Sequence, residues 1–124
     1  QIYGKVPYGF LYAYNPTNFR NRGRKPYPNS FNTALYYQMV GKDGDFIVGN
    51  DIGNFDFRKD LKSLKMPILI IAGRYDRVAV PTMMVKYKTY CPQAQFEMFE
   101  YSGHNPQVEE PAKEFSIIRT FLGR

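Results

Sequence analysis

His104 and Asp76, twenty-eight residues apart, are the side chains best suited by type and setting to move a proton in this 124-residue chain. His104 is its only histidine. Imidazole exchanges a proton near neutral pH, and a carboxylate that accepts its Nδ1–H fixes the tautomer and leaves Nε2 as the base. Asp76 follows the apolar run Ile68-Leu69-Ile70-Ile71-Ala72 through Gly73-Arg74-Tyr75, and His104 follows Ser102-Gly103. Taken singly, an aspartate after a strand is a turn former or helix cap, and a lone histidine is a surface or core residue. Together, at the ends of successive apolar segments, they read as an acid–base pair. Gly103 is expected to permit a tight turn before the histidine. Glu109 and Glu110 begin the final helix, where the positive helix end favours carboxylates, and a structural role is expected there. Cys91 stands between Tyr90 and Pro92 in a helix-to-strand connection and is also expected to be structural.

The elements that must carry this pair can be read from pattern. Pro67 stops a helix, and Pro67–Ala72 is a continuous aliphatic run, as in a parallel strand covered on both faces. Thr82–Tyr90 reads as a helix, Gln95–Glu100 as a second strand, and the last helix starts at Pro111 with Phe115, Ile118, Phe121 and Leu122 as its buried stripe. Parallel strands joined by crossover helices are the units of an α/β sheet, whose functional groups collect at the carboxyl ends of the strands. Neighbouring strands lie about 4.8 Å apart, so side chains from adjacent strand ends can meet. Before residue 62 the texture differs. Seven of the eleven tyrosines (3, 8, 12, 14, 27, 36, 37) precede residue 38, and Asn15–Ser30 should be irregular. Phe31, Leu35 and Met39 support a helix over about Asn29–Val40 ending at Gly41, followed by a turn at Lys42-Asp43-Gly44-Asp45. Asp56 is expected to cap a helix through Leu64, with Phe57, Leu61 and Leu64 on one face.

Two strands alone leave a long apolar edge facing water. The sheet therefore calls for neighbours, either from a missing N-terminal portion or from a second chain. Gln1 in place of an initiator methionine agrees with a cut or processed start. Nothing resembles a secretory leader, and no apolar run nears the ~20 residues that span a membrane. The single cysteine excludes an internal disulfide and points, weakly, to a reducing, cytoplasmic setting. The net charge of +6 gathers partly in Arg20, Arg22, Arg24 and Lys25, among Phe19 and Tyr27. Stacking aromatics beside such a cluster would suit nucleic acid. No nucleic-acid motif accompanies it, and Asp43, Asp45, Asp51, Asp56 and Asp60 follow closely, so a solvated loop is expected.

The strand, Gly73-x-x-Asp76, helix, strand and Gly103-His104 together resemble the last part of an α/β-hydrolase. The likeness covers Asp56–Leu122 and looks nearest to proline iminopeptidase-like capped serine hydrolases. It implies that 63–124 is the C-terminal part of the α/β core and 1–62 part of a cap of mixed helix and loop. It further implies that Asp76 and His104 are the acid and base of a catalytic triad, with no cofactor and no metal. The nucleophile is absent: none of Ser30, Ser63, Ser102 and Ser116 lies in Gly-x-Ser-x-Gly, the elbow that presents it, and the oxyanion hole is missing with it. The chain alone is therefore expected to be inactive. In a complete protein, an ester, amide or short-peptide substrate would be hydrolysed through an acyl-serine. One departure bears on specificity. A strict aminopeptidase should offer carboxylates to a free amine, yet residues 1–55 contain no glutamate. Two rivals remain at this point: an aspartate nucleophile, as in epoxide hydrolases and haloalkane dehalogenases, and a non-catalytic basic binding module.

Overall fold

The proline-bounded aliphatic run becomes strand β1 (Leu69–Gly73), and the segment after the Cys91–Ala94 turn becomes β2 (Gln95–Phe99). The two pair in parallel, from Leu69 opposite Gln95 to Gly73 opposite Phe99. This is the sheet of a computed structural model that describes residues 8–17, 32–42 and 47–124. Phe31, the basic cluster at 20–25 and the turn residues 43–45 lie outside the described residues. The chain divides into two compact units, Gln1–Gly23 with Leu61–Arg124, and Arg24–Asp60.

In the first unit, helix α1 (Tyr8–Tyr12) precedes the rest by a long stretch of sequence. A 3₁₀ turn (Asp60–Ser63), whose first residue belongs to the second unit, leads to β1, and helix α4 (Pro81–Tyr90) crosses from β1 to β2. Pro81 opens α4 at a position where its missing N–H is not needed. Lys88 closes it, donating from Nζ to the carbonyls of Pro92 and Ala94. After β2 come a short helix α5 (Pro106–Glu109), which the sequence pattern did not announce, and α6 (Pro111–Phe121). Lys113 of α6 donates to the carbonyl of Met98 at 2.6 Å and lies over the Phe99 ring. The stripe expected on α6 is only partly covered: Phe115 and Leu122 are exposed. Two strands offer too little area to bury it. The deepest packing is at the carboxyl end of the sheet, where Ala13, Ala72 and Phe99 are buried, and at the entry to β2, where Cys91 and Ala94 are.

The second unit holds α2 (Thr33–Val40) and α3 (Asn50–Gly53). Asn32 caps α2, its side chain accepting from the Leu35 N–H at 3.0 Å. Leu35 and Met39 are nevertheless exposed. The helix expected over Asp56–Leu64 is not formed. Asp56 instead takes the Arg58 N–H at 3.1 Å and its guanidinium at 2.6 and 2.7 Å. That local ring competes with helix capping, and the Arg58 bonds hold the Asp56 carboxyl down at about 2. Phe57 is exposed, and regular backbone returns only at Asp60. No described helix is long and apolar enough to cross a membrane.

Candidate active site

The parallel register brings the ends of β1 and β2 side by side, and their loops bring Asp76 and His104 together. Nδ1 of His104 stands 2.9 Å from Oδ2 of Asp76. An ionised carboxylate only accepts, so Nδ1 is the donor in this contact, and in the neutral imidazole Nε2 then keeps its lone pair. The other oxygen, Oδ1, accepts the N–H groups of Val78 and Ala79 at 2.8 and 2.9 Å. Asp76 thus closes a turn through one oxygen and faces the histidine with the other. Its side chain is 7% exposed, whereas the imidazole keeps 39%. A shielded acid beside an accessible base is the arrangement that orients a proton acceptor toward an arriving group. Among the described residues, Nε2 makes no hydrogen bond.

Two glycines let the loops close up. A Cβ on Gly73 would lie 2.0 Å from the Gly103 carbonyl oxygen and 2.5 Å from that of Ser102. One on Gly103 would lie 2.6 Å from the Tyr12 oxygen and 2.8 Å from Ala13 Cα. Gly103 is therefore required by the close approach of another backbone. Its φ is not positive, and the expected turn conformation is not the reason for it.

That other backbone is the segment Tyr8–Thr17, which crosses both loops as a strap. The Tyr12 carbonyl accepts the His104 N–H at 2.8 Å, and the Leu11 carbonyl accepts the Arg77 N–H at 3.3 Å. The Arg77 guanidinium donates to the Phe10 carbonyl at 2.8 Å and sits 4.0 Å from that ring's centre. The Tyr12 ring meets the imidazole edge-on, with centroids 5.1 Å apart. Tyr14 packs against Tyr75 and Tyr101.

Of the two carboxylates expected to begin the final helix, Glu109 ends α5 and Glu110 precedes α6 without a side-chain cap bond, and both hold the histidine loop instead. Glu110 accepts the Tyr101 N–H at 2.9 Å and the Ser102 hydroxyl at 2.7 Å. Glu109 accepts the N–H groups of Gly103, Tyr14 and Asn15. Ser102 is fully buried with its hydroxyl proton committed to Glu110, which suits a scaffold residue and not a nucleophile. Arg74 and Glu100 join the two strand ends through a forked pair at 2.7 and 2.8 Å. Each shifts the other, the Arg74 bonds lowering the Glu100 pKa and the Glu100 bonds raising that of Arg74. The strap and the glutamate clamps were the parts not foreseen. Their trace in the sequence is small: glycines ending one strand and preceding the histidine, and two acids just before Pro111.

A family model described as alpha/beta hydrolase fold matches residues 11–111. The chain belongs to the α/β-hydrolase family. It is 33% identical over 95 residues to a proline iminopeptidase of Heyndrickxia coagulans, covering 77% of this chain and 33% of that protein. It is 28% identical to a pimeloyl-[acyl-carrier protein] methyl ester esterase of Legionella pneumophila strain Paris, an alignment that covers 85% of this chain and 49% of the esterase. Among solved structures it is similar to a proline iminopeptidase of Mycobacterium smegmatis, with a TM-score of 0.63 and 25% identity, over 72% of this chain and 29% of that one. The chain spans about a third of the length of the proline iminopeptidases it matches.

Proposed function

We propose that this chain is the C-terminal part of a serine hydrolase and supplies the acid and base of its triad, Asp76 and His104. The observation that carries the reading is the 2.9 Å Nδ1···Oδ2 pair, set between a shielded carboxylate and an accessible imidazole. In this reading Nε2 takes the proton of a serine presented from polypeptide outside these 124 residues, as its oxygen attacks an ester or amide carbonyl. The imidazolium is stabilised by Asp76 and returns that proton to the departing alkoxide or amine. Water then repeats the sequence on the acyl-serine. The added polypeptide, the missing N-terminal portion or a second chain, would also pair with the open sheet edge, and of the stretch 1–62 read as part of a cap, Arg24–Asp60 forms a unit of its own.

A serine rather than an aspartate nucleophile is favoured by the names of the relatives, peptidases and an esterase. Proline iminopeptidase-like cleavage of short peptides is the finer form of the proposal. Cap aspartates would receive the substrate's amine, as residues 1–55 hold no glutamate.

The test is made on the complete protein with a p-nitrophenyl ester, an aminoacyl anilide and a fluorophosphonate. Asp76→Asn should lose about 10⁴-fold in kcat, the size found when a triad carboxylate no longer fixes the tautomer. His104→Ala should lose at least as much and should no longer label. Near-normal turnover in either variant removes the assignment. The 124-residue chain by itself should not label at any serine.

A further inference from the structure

A single carboxylate oxygen joins the histidine loop to the strap. Oε2 of Glu109 accepts the Gly103 N–H at 2.7 Å and the Tyr14 N–H at 3.0 Å, while Oε1 accepts the Asn15 N–H at 2.9 Å. His104 follows Gly103 directly, and its own N–H goes to the carbonyl of Tyr12, two residues before Tyr14. The bonds therefore close a ring: His104 to Tyr12, along the strap to Tyr14, across Glu109 to Gly103, and back to His104. A helix-start charge alone would not gather three amides from two distant segments around one side chain.

We propose that Glu109 is a positioning residue, setting where His104 stands against Asp76 by fastening the histidine loop and the strap to one carboxylate. The proposal rests on His104 being the catalytic base. Bonds from N–H groups to an ionised acceptor are stronger than those between neutral groups, and Gly103 is buried, so its N–H has little access to water as a replacement partner. Removal of the acceptor frees both sides of the ring and lets the imidazole drift from Oδ2 of Asp76. Glu110 separately holds Tyr101 and Ser102, so the loop keeps its approach when Glu109 is changed.

Glutamine makes a discriminating substitute. It has the size of glutamate but only one accepting oxygen. Whichever way the amide turns, its NH₂ faces a main-chain N–H, Asn15 in one orientation and Gly103 with Tyr14 in the other. Glu109→Gln should therefore fold and yet loosen part of the ring.

The experiment compares Glu109→Gln, Glu109→Ala and His104→Ala in the complete protein, reading kcat, KM and the rate of fluorophosphonate labelling. Glu109→Ala should lower kcat about 10²-fold, the scale of a misplacement near 1 Å, with KM within about 3-fold. Glu109→Gln should lower it about 10-fold by the same argument. Labelling should slow in step with kcat, since it uses the same base without the substrate's binding contacts. An inactive His104→Ala beside a Glu109→Gln of unchanged kcat would overturn the positioning role and leave the catalytic reading intact. An active His104→Ala would remove the catalytic reading itself. A rise in KM alone would also overturn the proposal, because it would put Glu109 in substrate binding. If Glu109→Ala fails to fold, Glu109→Gln alone decides.

Discussion

At the carboxyl ends of β1 and β2, Ala72, Phe99, Asp76 and Ser102 are buried, and Asp76, Ser102, Gly103 and His104 all have hydrogen-bond partners within the chain. On α6, Phe115 remains 64% exposed beside an open recess of about 320 Å³ lined by Gln107, Pro111, Glu114, Phe115 and Ile118. Among the described residues, Oε2 of Glu114 is shut off from water without a hydrogen-bond partner, and burial raises the pKa of this carboxyl. The difference separates two ways of holding a structure. Directional bonds between neighbouring backbones complete the first region from within. The second depends on apolar area, and two strands supply too little of it.

Substitutions at the tight end should have the largest effect. Gly73→Ala puts a Cβ against backbone oxygens that have no soft direction to yield, so a loss of about 3 kcal/mol in stability and most activity is expected. Gly53→Ala, where the nearest atom is 3.7 Å away, should be close to neutral. Denaturant melts of both variants check this contrast, and equal losses would break it.

A smaller effect, of opposite sign, is expected on α6. A carboxyl with a raised folded-state pKa opposes folding once it must ionise. Stability present below its unfolded pKa is lost as pH rises through the folded value. Glu114→Gln should therefore melt higher than the parent at pH 7, and the gain should vanish as pH falls below the usual carboxylate range. Melting curves between pH 3.5 and 7 test it. A lower melting point at pH 7 would mean that polypeptide outside this chain donates to Oε2, which would close the gap between the two regions.

The smallest effect belongs to the exposed Arg74–Glu100 pair. Arg74→Met should shift the melting temperature by no more than about 2 °C, as solvated ion pairs usually contribute little. Any contribution should fall in high salt and as pH drops through the lowered Glu100 value. A large shift would show that the strand ends depend on this pair more than on their backbone bonds.

The two regions also differ in how far the sequence revealed them. β1, α4, β2 and α6 were legible because prolines stand at or near their edges, and β1 and α6 also carry an apolar run or stripe. Asp76 and His104 were legible because unusual residue types stood at strand ends. The strap was not, because its hold on the site is made mostly by main-chain groups of Phe10–Asn15, which leave no residue signature. The Asp56 helix was misread because a capping residue has two uses, and Arg58, two positions on, decided between them. The stripe expected to be buried on α6 is not, because periodicity says which face is apolar and not what will lie on it.

The strap also bears on the order in which contacts should form. Bringing Asp76 to His104 closes a loop of 28 residues, whereas bringing Tyr14 to Glu109 closes one of 95. Closure entropy grows with the logarithm of length, so the longer contact carries an added penalty of about 1 kcal/mol. The acid–base pair can therefore form within one local unit, and the strap settles over it afterwards. Segments held by exposed hydrogen bonds and few buried apolar contacts open most easily in the native state, and the Tyr14 and Asn15 bonds to Glu109 are exposed. The amides of Tyr14 and Asn15 should then exchange with solvent before that of Ala72 in β1, and the Asp76–His104 contact would be built early and held still late.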